Sequence, residues 1–153
     1  MMCVMRLTTT AFQPGGAIRA RFTCDGEDVS PDLAWEGVPG EAAALVLIVD
    51  DPDARDFVHW IVLDMTSSDT GALPAGLSAS PDGPRQGIND FGRSGWGGPC
   101  PPSGRHRYRF TLFALARPLN LPGEPRGSEV RRALATAQVI ARATLEGSYA
   151  RRR

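Results

Sequence analysis

The chain has two histidines, and each stands beside a turn that is rich in Pro, Gly or Asp. His59 lies in the apolar run Phe57-Val58-His59-Trp60-Ile61-Val62-Leu63, shortly after Asp51-Pro52-Asp53-Ala54. His106 closes the run Gly98-Pro99-Cys100-Pro101-Pro102-Ser103-Gly104-Arg105-His106 and precedes Arg107-Tyr108. Imidazole is the side chain most readily poised near neutral pH, so two of them in special-backbone sequence point to one polar pocket for an anion, a metal or a transferable proton. A carboxylate from the Asp51 turn is placed to accept a hydrogen bond from an imidazole, fix its tautomer and favour its charged form, which in turn favours an anionic ligand. The glycines of the second run leave backbone N–H groups open to a ligand, and its prolines stiffen the loop. Alone, Asp-Pro-Asp is an ordinary tight turn and His59 an ordinary core histidine; their placement together makes the case.

Other chemistries are set aside on the residues themselves. Asp51, His59 and His106 are the residue types of a two-histidine, one-carboxylate metal site, but no second clustered ligand set accompanies them, and neither a metal nor another cofactor is expected. Cys100 near His106 suggests a thiol nucleophile, yet Pro flanks it on both sides and nothing marks it as activated, so a packed loop thiol is expected. Gly92-Arg93-Ser94-Gly95-Trp96 departs from the G-x-S-x-G nucleophile elbow, and G-x-G-x-x-G and H-E-x-x-H are missing. All 17 basic residues are arginine, which excludes a Schiff-base or Walker A lysine. They balance 17 acidic residues, leaving no net field to hold nucleic acid. The three cysteines Cys3, Cys24 and Cys100 are odd in number and lack C-x-x-C spacing, so reduced thiols are expected. With neither a secretory signal nor a spanning apolar stretch, the chain reads as soluble and cytoplasmic, and Arg151-Arg152-Arg153 as a solvated tail.

The elements that must hold this pocket are mostly strands. At 153 residues and 42% hydrophobic, the chain is sized for a single domain over 1–153. Its 13 prolines and 17 glycines chop it into short segments, as in a β-rich domain with long loops. Ala17 to Thr23 alternates as a half-exposed strand. Ala44 to Val49 is continuously apolar, as a strand buried on both faces would be. Phe57 to Leu63 reads as the next strand, and Arg107 to Ala116 alternates with Tyr108, Phe110, Leu112 and Ala114 on one side. His106 and Tyr108 then share a face. Residues 64–105 read mainly as loop, with Leu73 to Leu77 and Ile88-Asn89-Asp90-Phe91-Gly92 as its ordered parts. One helix is expected, capped by Ser128, with Glu129 in its first turn and Val130, Ala133, Leu134, Ala137, Ala141 and Leu145 as its apolar stripe until Gly147.

Together, Asp51-Pro52-Asp53-Ala54, Val58-His59-Trp60, Asn89-Asp90-Phe91-Gly92 and Gly98-Pro99-Cys100-Pro101-Pro102-x-Gly104-x-His106-Arg107-Tyr108 closely resemble the phosphatidylethanolamine-binding protein family, in its short bacterial, Raf kinase inhibitor-like branch. The similarity runs from Ser30-Pro31-x-Leu33-x-Trp35 to Gly147-x-Tyr149. It implies a mainly β, β-rich α+β fold, a large antiparallel sheet packed on a smaller sheet with one or two short helices. It also implies a pocket for a small anion such as phosphate, a carboxylate or a phosphorylated head group. The resemblance places Asp51, His59, His106 and Tyr108 in that pocket, the loop from Gly98 through Cys100 to Pro102 as a wall, and Asp53 and Trp60 nearby. Because Asp51 would repel a phosphate, it is expected to orient an imidazole or meet an ammonium group. The function so implied is non-enzymatic small-anion binding, with modulation of a protein partner and a homodimeric state as further implications; the alternative is an acid–base hydrolase of a small phosphoester. Three departures stand out: Arg55 where the family usually has proline, Trp96 where it has tyrosine, and Gln138 where bacterial relatives often carry a histidine in the helix. The chain ends soon after Tyr149, without the further C-terminal helix of longer members, which implies a more open pocket.

Overall fold

The computed structural model describes residues 4–78 and 83–151. Among these residues, eight strands form two antiparallel sheets. The small sheet has the order β1-β2-β5, from β1 (Arg6–Thr8), β2 (Leu33–Glu36) and β5 (Gly71–Leu73). The large sheet has the order β6-β4-β3-β7-β8, from β3 (Ala44–Asp51), β4 (Phe57–Thr66), β6 (Arg85–Gln86), β7 (Arg105–Leu115) and β8 (Val139–Ala150). One α-helix, α1 (Gly127–Thr136), lies between β7 and β8 in the chain.

The large sheet is covered on both faces, and its central strand shows why. Every residue of β3 is buried. Leu45, Leu47 and Val49 point into the core shared with Leu7, Leu33, Trp35 and Leu73 of the small sheet. Val46 and Ile48 point the other way, into a second core with Val58, Ile61, Leu63 and Val130 of α1. The uninterrupted apolar run in β3 is therefore what burial on both faces demands. In β7 one face is fully covered and the other only toward its end, where Phe113 and Leu115 meet the second core. Tyr108, Phe110 and Leu112 are therefore buried while Arg109, Thr111 and Phe113 are half-exposed, and the alternation legible in the sequence follows.

Three expectations about elements are corrected. The helix ends at Thr136, and Val139–Ala150 is the longest strand, paired with β7 from Leu115↔Val139 to Arg105↔Ala150. Ala137, Ala141 and Leu145 are spaced by four, which fits a helical face and equally an alternating strand; the β-branched Val139-Ile140 and Thr144 favour the strand, and pairing with β7 settles it. Gln138 accordingly lies between helix and strand. The helix N-cap is Arg126, not Ser128, and Glu129 accepts a hydrogen bond from the Arg126 N–H at 3.1 Å. Ala17–Thr23 is not a strand: Ala17 makes one bridge to Ser148, and Ala20–Phe22 is a 3₁₀ turn that drives Phe22 into the core. All peptide bonds among the described residues are trans. Among them no helix is long and apolar enough to cross a membrane.

Candidate functional site

The pocket begins at the C-terminal end of β3, where the chain turns through Pro52–Ala54 as a 3₁₀ turn. Asp51 is buried, and each of its carboxylate oxygens has a fixed task. Oδ1 accepts the N–H of Asp53 at 2.8 Å and caps the turn, while Oδ2 accepts from Nδ1 of His106 at 2.6 Å. His106 comes from the start of β7, adjacent to β3 in the sheet, so sheet topology brings together residues far apart in sequence. With Nδ1 held by a carboxylate, Nε2 is the remaining ring nitrogen.

His59 arrives by a bulge. Val49 pairs with Trp60 and Asp50 with Val58, leaving His59 as the extra residue on β4. Bulges re-aim side chains, and here the His59 ring meets the edge of Tyr108, their centroids 5.2 Å apart. Gly97 grips His59 twice: its N–H donates to the His59 carbonyl at 2.9 Å, and its carbonyl lies 2.6 Å from His59 Nδ1. A carbonyl only accepts, so Nδ1 carries the proton and Nε2 of the neutral ring is an acceptor. Burial pushes the His59 pKa below its ordinary value, against the upward pull of the Gly97 carbonyl and the carboxylates of Asp51, Asp90 and Asp28. The expectation of a charged imidazole therefore does not apply to His59 near neutral pH.

These side chains line a cavity of about 160 Å³ with Ala54, Phe57, Phe91, Cys100, Pro101 and Pro102. That is below the ~300–1,000 Å³ of pockets for drug-sized ligands, and it suits a small ion or head group. Tyr108 is almost fully buried, and its hydroxyl has no hydrogen-bond partner among the described residues. Burial and the nearby carboxylates of Asp51 and Asp53 raise its pKa, so the phenol stays protonated and available as a donor. Phe57 and Phe91 stack edge-on at 4.8 Å beside His59, giving the mouth an apolar rim. A larger groove of about 430 Å³ lies against α1, but Arg109 and Arg131, which line it, are already paired with Asp50 at 3.0 Å and 2.7 Å.

Three of the expected site residues stand outside the cavity lining. Asp53 faces Arg107, in a two-pronged pair at 3.1 Å and 3.0 Å plus the Arg107 N–H at 2.8 Å. The hydrogen bonds from Arg107 hold its carboxyl down at about 2. This pair ties the turn after β3 to β7 next to His106. Trp60 is fully buried behind the pocket, its Nε1 donating to Gln86 at 2.7 Å. Gly98 presses so closely on the 22–28 loop that a Cβ there would collide with the Asp28 carboxylate and the Phe22 carbonyl. Its N–H is taken by Asp28 at 2.8 Å. With the Gly97 N–H taken by His59, both of these amides are committed to the protein, while the Gly104 N–H has no hydrogen-bond partner among the described residues.

The cysteines correct the sequence reading most sharply. Cys24 and Cys100 form a disulfide, so the expected packed loop thiol at Cys100 is a bridged wall residue instead. Their separation of 76 residues hides the pairing from any local spacing rule. Cys3 lies outside the described residues. Among them, no group of three or more His, Cys, Asp or Glu is arranged to hold a metal.

Pro101 lines the cavity within the expected Gly98–Pro102 wall, whereas Ala54, Phe57 and Phe91 line it beyond the site residues that the sequence indicates. A signal existed for Phe91: Asn89 and Asp90 are turn residues that leave the next large apolar side chain at the surface. Asn89 Oδ1 accepts from the N–H groups of Phe91 and Arg93, and Asp90 exchanges hydrogen bonds with the Val58 backbone, docking this loop on β4. Arg55 adopts a left-handed conformation with φ 55°, which a proline ring cannot reach, so the turn has its own shape here. Trp96 uses its ring N–H on the Phe22 carbonyl at 3.1 Å.

The buried neutral His59 makes stability pH-dependent. In the unfolded chain its pKa returns to ~6.5, so below that value the unfolded state binds more protons and stability falls as pH falls, by at most ~1.4 kcal/mol per pH unit for one site. The contribution is complete above about pH 6.5 and is lost toward the lowered folded value. Urea unfolding between pH 7 and 5 should show this slope, and His59→Asn, whose amide N–H can still reach Gly97 O, should flatten it. Equal slopes for the two proteins would contradict a buried neutral His59.

Comparison with known proteins agrees with this architecture. Residues 8–150 match the family described as phosphatidylethanolamine-binding protein. A UPF0098 protein of Methanothermobacter thermautotrophicus is 46% identical, over 96% of this chain and 99% of its own. A Mycobacterium tuberculosis protein named "Putative lipoprotein LppC" is 39% identical, over 95% of this chain and 72% of its own. Among solved structures, a phosphatidylethanolamine-binding protein homologue from Chlamydia trachomatis superimposes with TM-score 0.87 at 35% identity, covering 97% of this chain and 99% of that one. Escherichia coli YbcL gives 0.86 at 30% identity, covering 97% and 99%.

Proposed function

The chain belongs to the phosphatidylethanolamine-binding protein family, a family of ligand binders, and from that premise we propose that it is a non-enzymatic receptor for a small oxyanion, such as phosphate, a carboxylate or a phosphorylated head group. The observation that carries the reading is the cavity of about 160 Å³, which Tyr108 and the Asp51-held His106 line together. Tyr108 O–H donates to the anion. His106 donates from Nε2 when its ring is protonated, because Nδ1–H stays on Asp51. His59 offers the opposite partner, an Nε2 acceptor suited to a ligand O–H or N–H. Asp51 acts through His106, with both carboxylate oxygens occupied by the protein. The hydrolase alternative gains no nucleophile from this geometry, since Cys100 is bridged and no serine, threonine or lysine lines the cavity among the described residues.

The test is a titration of inorganic phosphate, acetate and phosphoethanolamine followed by NMR of the two histidine side chains. Both should shift together and saturably, and phosphate affinity should rise as pH falls through the range in which imidazole protonates. If neither histidine responds, or each responds independently, the shared anion pocket is refuted.

A further inference from the structure

The Cys24–Cys100 bridge joins two segments that are anchored very unequally. On the Cys24 side, the loop is held without the sulfur: the Tyr149 hydroxyl donates to Asp25 at 2.6 Å, Arg151 reaches the same carboxylate at 2.9 Å, and Asp28 N–H donates to the Arg21 carbonyl at 2.9 Å. On the other side, the non-covalent tethers all lie before Cys100. Trp96 Nε1 reaches the Phe22 carbonyl at 3.1 Å, Gly98 N–H reaches Asp28 at 2.8 Å, and the Pro99 carbonyl accepts from Cys24 N–H at 3.1 Å. From Pro101 to Gly104 no hydrogen bond ties the chain down among the described residues, until β7 begins at Arg105. Cys100, Pro101 and Pro102 in that stretch are walls of the pocket, and Cys100 and Cys24 are both partly accessible to solvent.

We propose that the disulfide is a redox-operated clamp on the pocket: closed, it fixes the Cys100–Pro102 wall against the cavity, and opened, it releases that wall and lowers ligand affinity. The proposal rests on the anion-binding reading of the same cavity. The reaction is thiol–disulfide exchange with a dithiol. A thiolate of the dithiol attacks one sulfur, the Cys24–Cys100 bond breaks, and a mixed disulfide forms. The second thiol resolves it, so the dithiol leaves as a cyclic disulfide and the two cysteines gain two electrons and two protons. A disulfide oxidant such as oxidised glutathione reverses the change, releasing two equivalents of its thiol.

The experiment is the phosphate titration, read at both histidines, on the oxidised chain, on the same chain reduced with dithiothreitol, and after reoxidation with glutathione disulfide. The expected result is a phosphate Kd roughly tenfold weaker when reduced, because the wall is no longer preorganised, and recovered on reoxidation. The Cys24→Ser/Cys100→Ser variant should bind weakly and ignore dithiothreitol. A reduced, folded chain that binds phosphate as tightly as the oxidised one overturns the clamp. So does reduction that abolishes the near-ultraviolet circular dichroism of the tryptophans, for then the bridge staples the whole fold. If the oxidised chain itself does not bind phosphate, the anion-binding reading has failed, and the clamp is judged by tryptic cleavage after Arg105. Several-fold faster cleavage on reduction supports release of the wall, and an unchanged rate overturns it.

Discussion

Asp51→Ala should weaken phosphate binding by roughly tenfold, about 1.4 kcal/mol, even though it removes a negative charge from the wall of an anion site. The two possible effects of this carboxylate have opposite signs. As a bare charge ~4 Å from a bound phosphate it would oppose binding, by on the order of 4 kcal/mol at an effective dielectric of about 20, and its removal would tighten binding. As the partner of His106 Nδ1 at 2.6 Å and of the Asp53 N–H at 2.8 Å, it fixes both the imidazole and the turn. Removing it frees a ring whose donor direction is needed and uncaps Pro52–Ala54. Loss of the capping bond adds a fall in stability of ~0.5–2 kcal/mol. Isothermal titration with inorganic phosphate at pH 6, with urea unfolding of the same variant, separates these terms. Tighter binding in the alanine variant would mean that Asp51 acts on the ligand as a charge, and that His106 is positioned by something else.

The same pair shows what the sequence could and could not reveal. That Asp51 and His106 share a site was readable from their residue types and turn-rich neighbourhoods, and the family resemblance supplied the pairing of distant segments. The commitments of individual atoms were not readable. Gly97 and Gly98 look in sequence like a ligand-binding loop, yet both amides are used within the protein. His59 looks like the equal of His106, yet a single unpaired residue in the β3–β4 register buries it against Tyr108 and keeps it neutral. Bulges of this kind depend on how two strands pair, which the periodicity of one strand does not carry. Asp53 and Trp60 support the site from outside the cavity, one through Arg107 and the other through Gln86.

At the level of the fold, β3 and β7 were legible because burial of both faces and of one face leave different patterns. The segment after Thr136 was not, since a spacing of four satisfies the period of a helix and of a strand alike. Tertiary pairing decided it: β8 closes the edge of β7 along nearly its whole length and places Tyr149 where it fixes Asp25, next to Cys24. The edge strand misread as helix is thus part of what holds the bridge in place.

Reducing the Cys24–Cys100 bridge, or replacing both cysteines with serine, should cost 2–4 kcal/mol of folding stability and leave the chain folded in water. In the chain-entropy description, a crosslink over a separation of 76 residues removes about 4.5 kcal/mol of unfolded-state freedom, and measured effects usually fall below such values. A domain of 153 residues has a stability of roughly 8 kcal/mol or more, so the loss is large without being fatal. At ~1–3 kcal/mol per molar urea, the unfolding midpoint should drop by about 1–2 M. The hydrogen bonds of Trp96, Gly98 and Pro99 to the 22–28 loop remain after reduction, which is why the global fold should survive while the unsupported Pro101–Gly104 stretch loosens. A midpoint shift of less than about 0.3 M would show that the unfolded chain gains little freedom when the crosslink is cut. Even then, a change in phosphate affinity on reduction would stand as a purely local effect of the pocket wall. The two measurements therefore separate the bridge as a fold-wide restraint from the bridge as the fixed edge of a binding site.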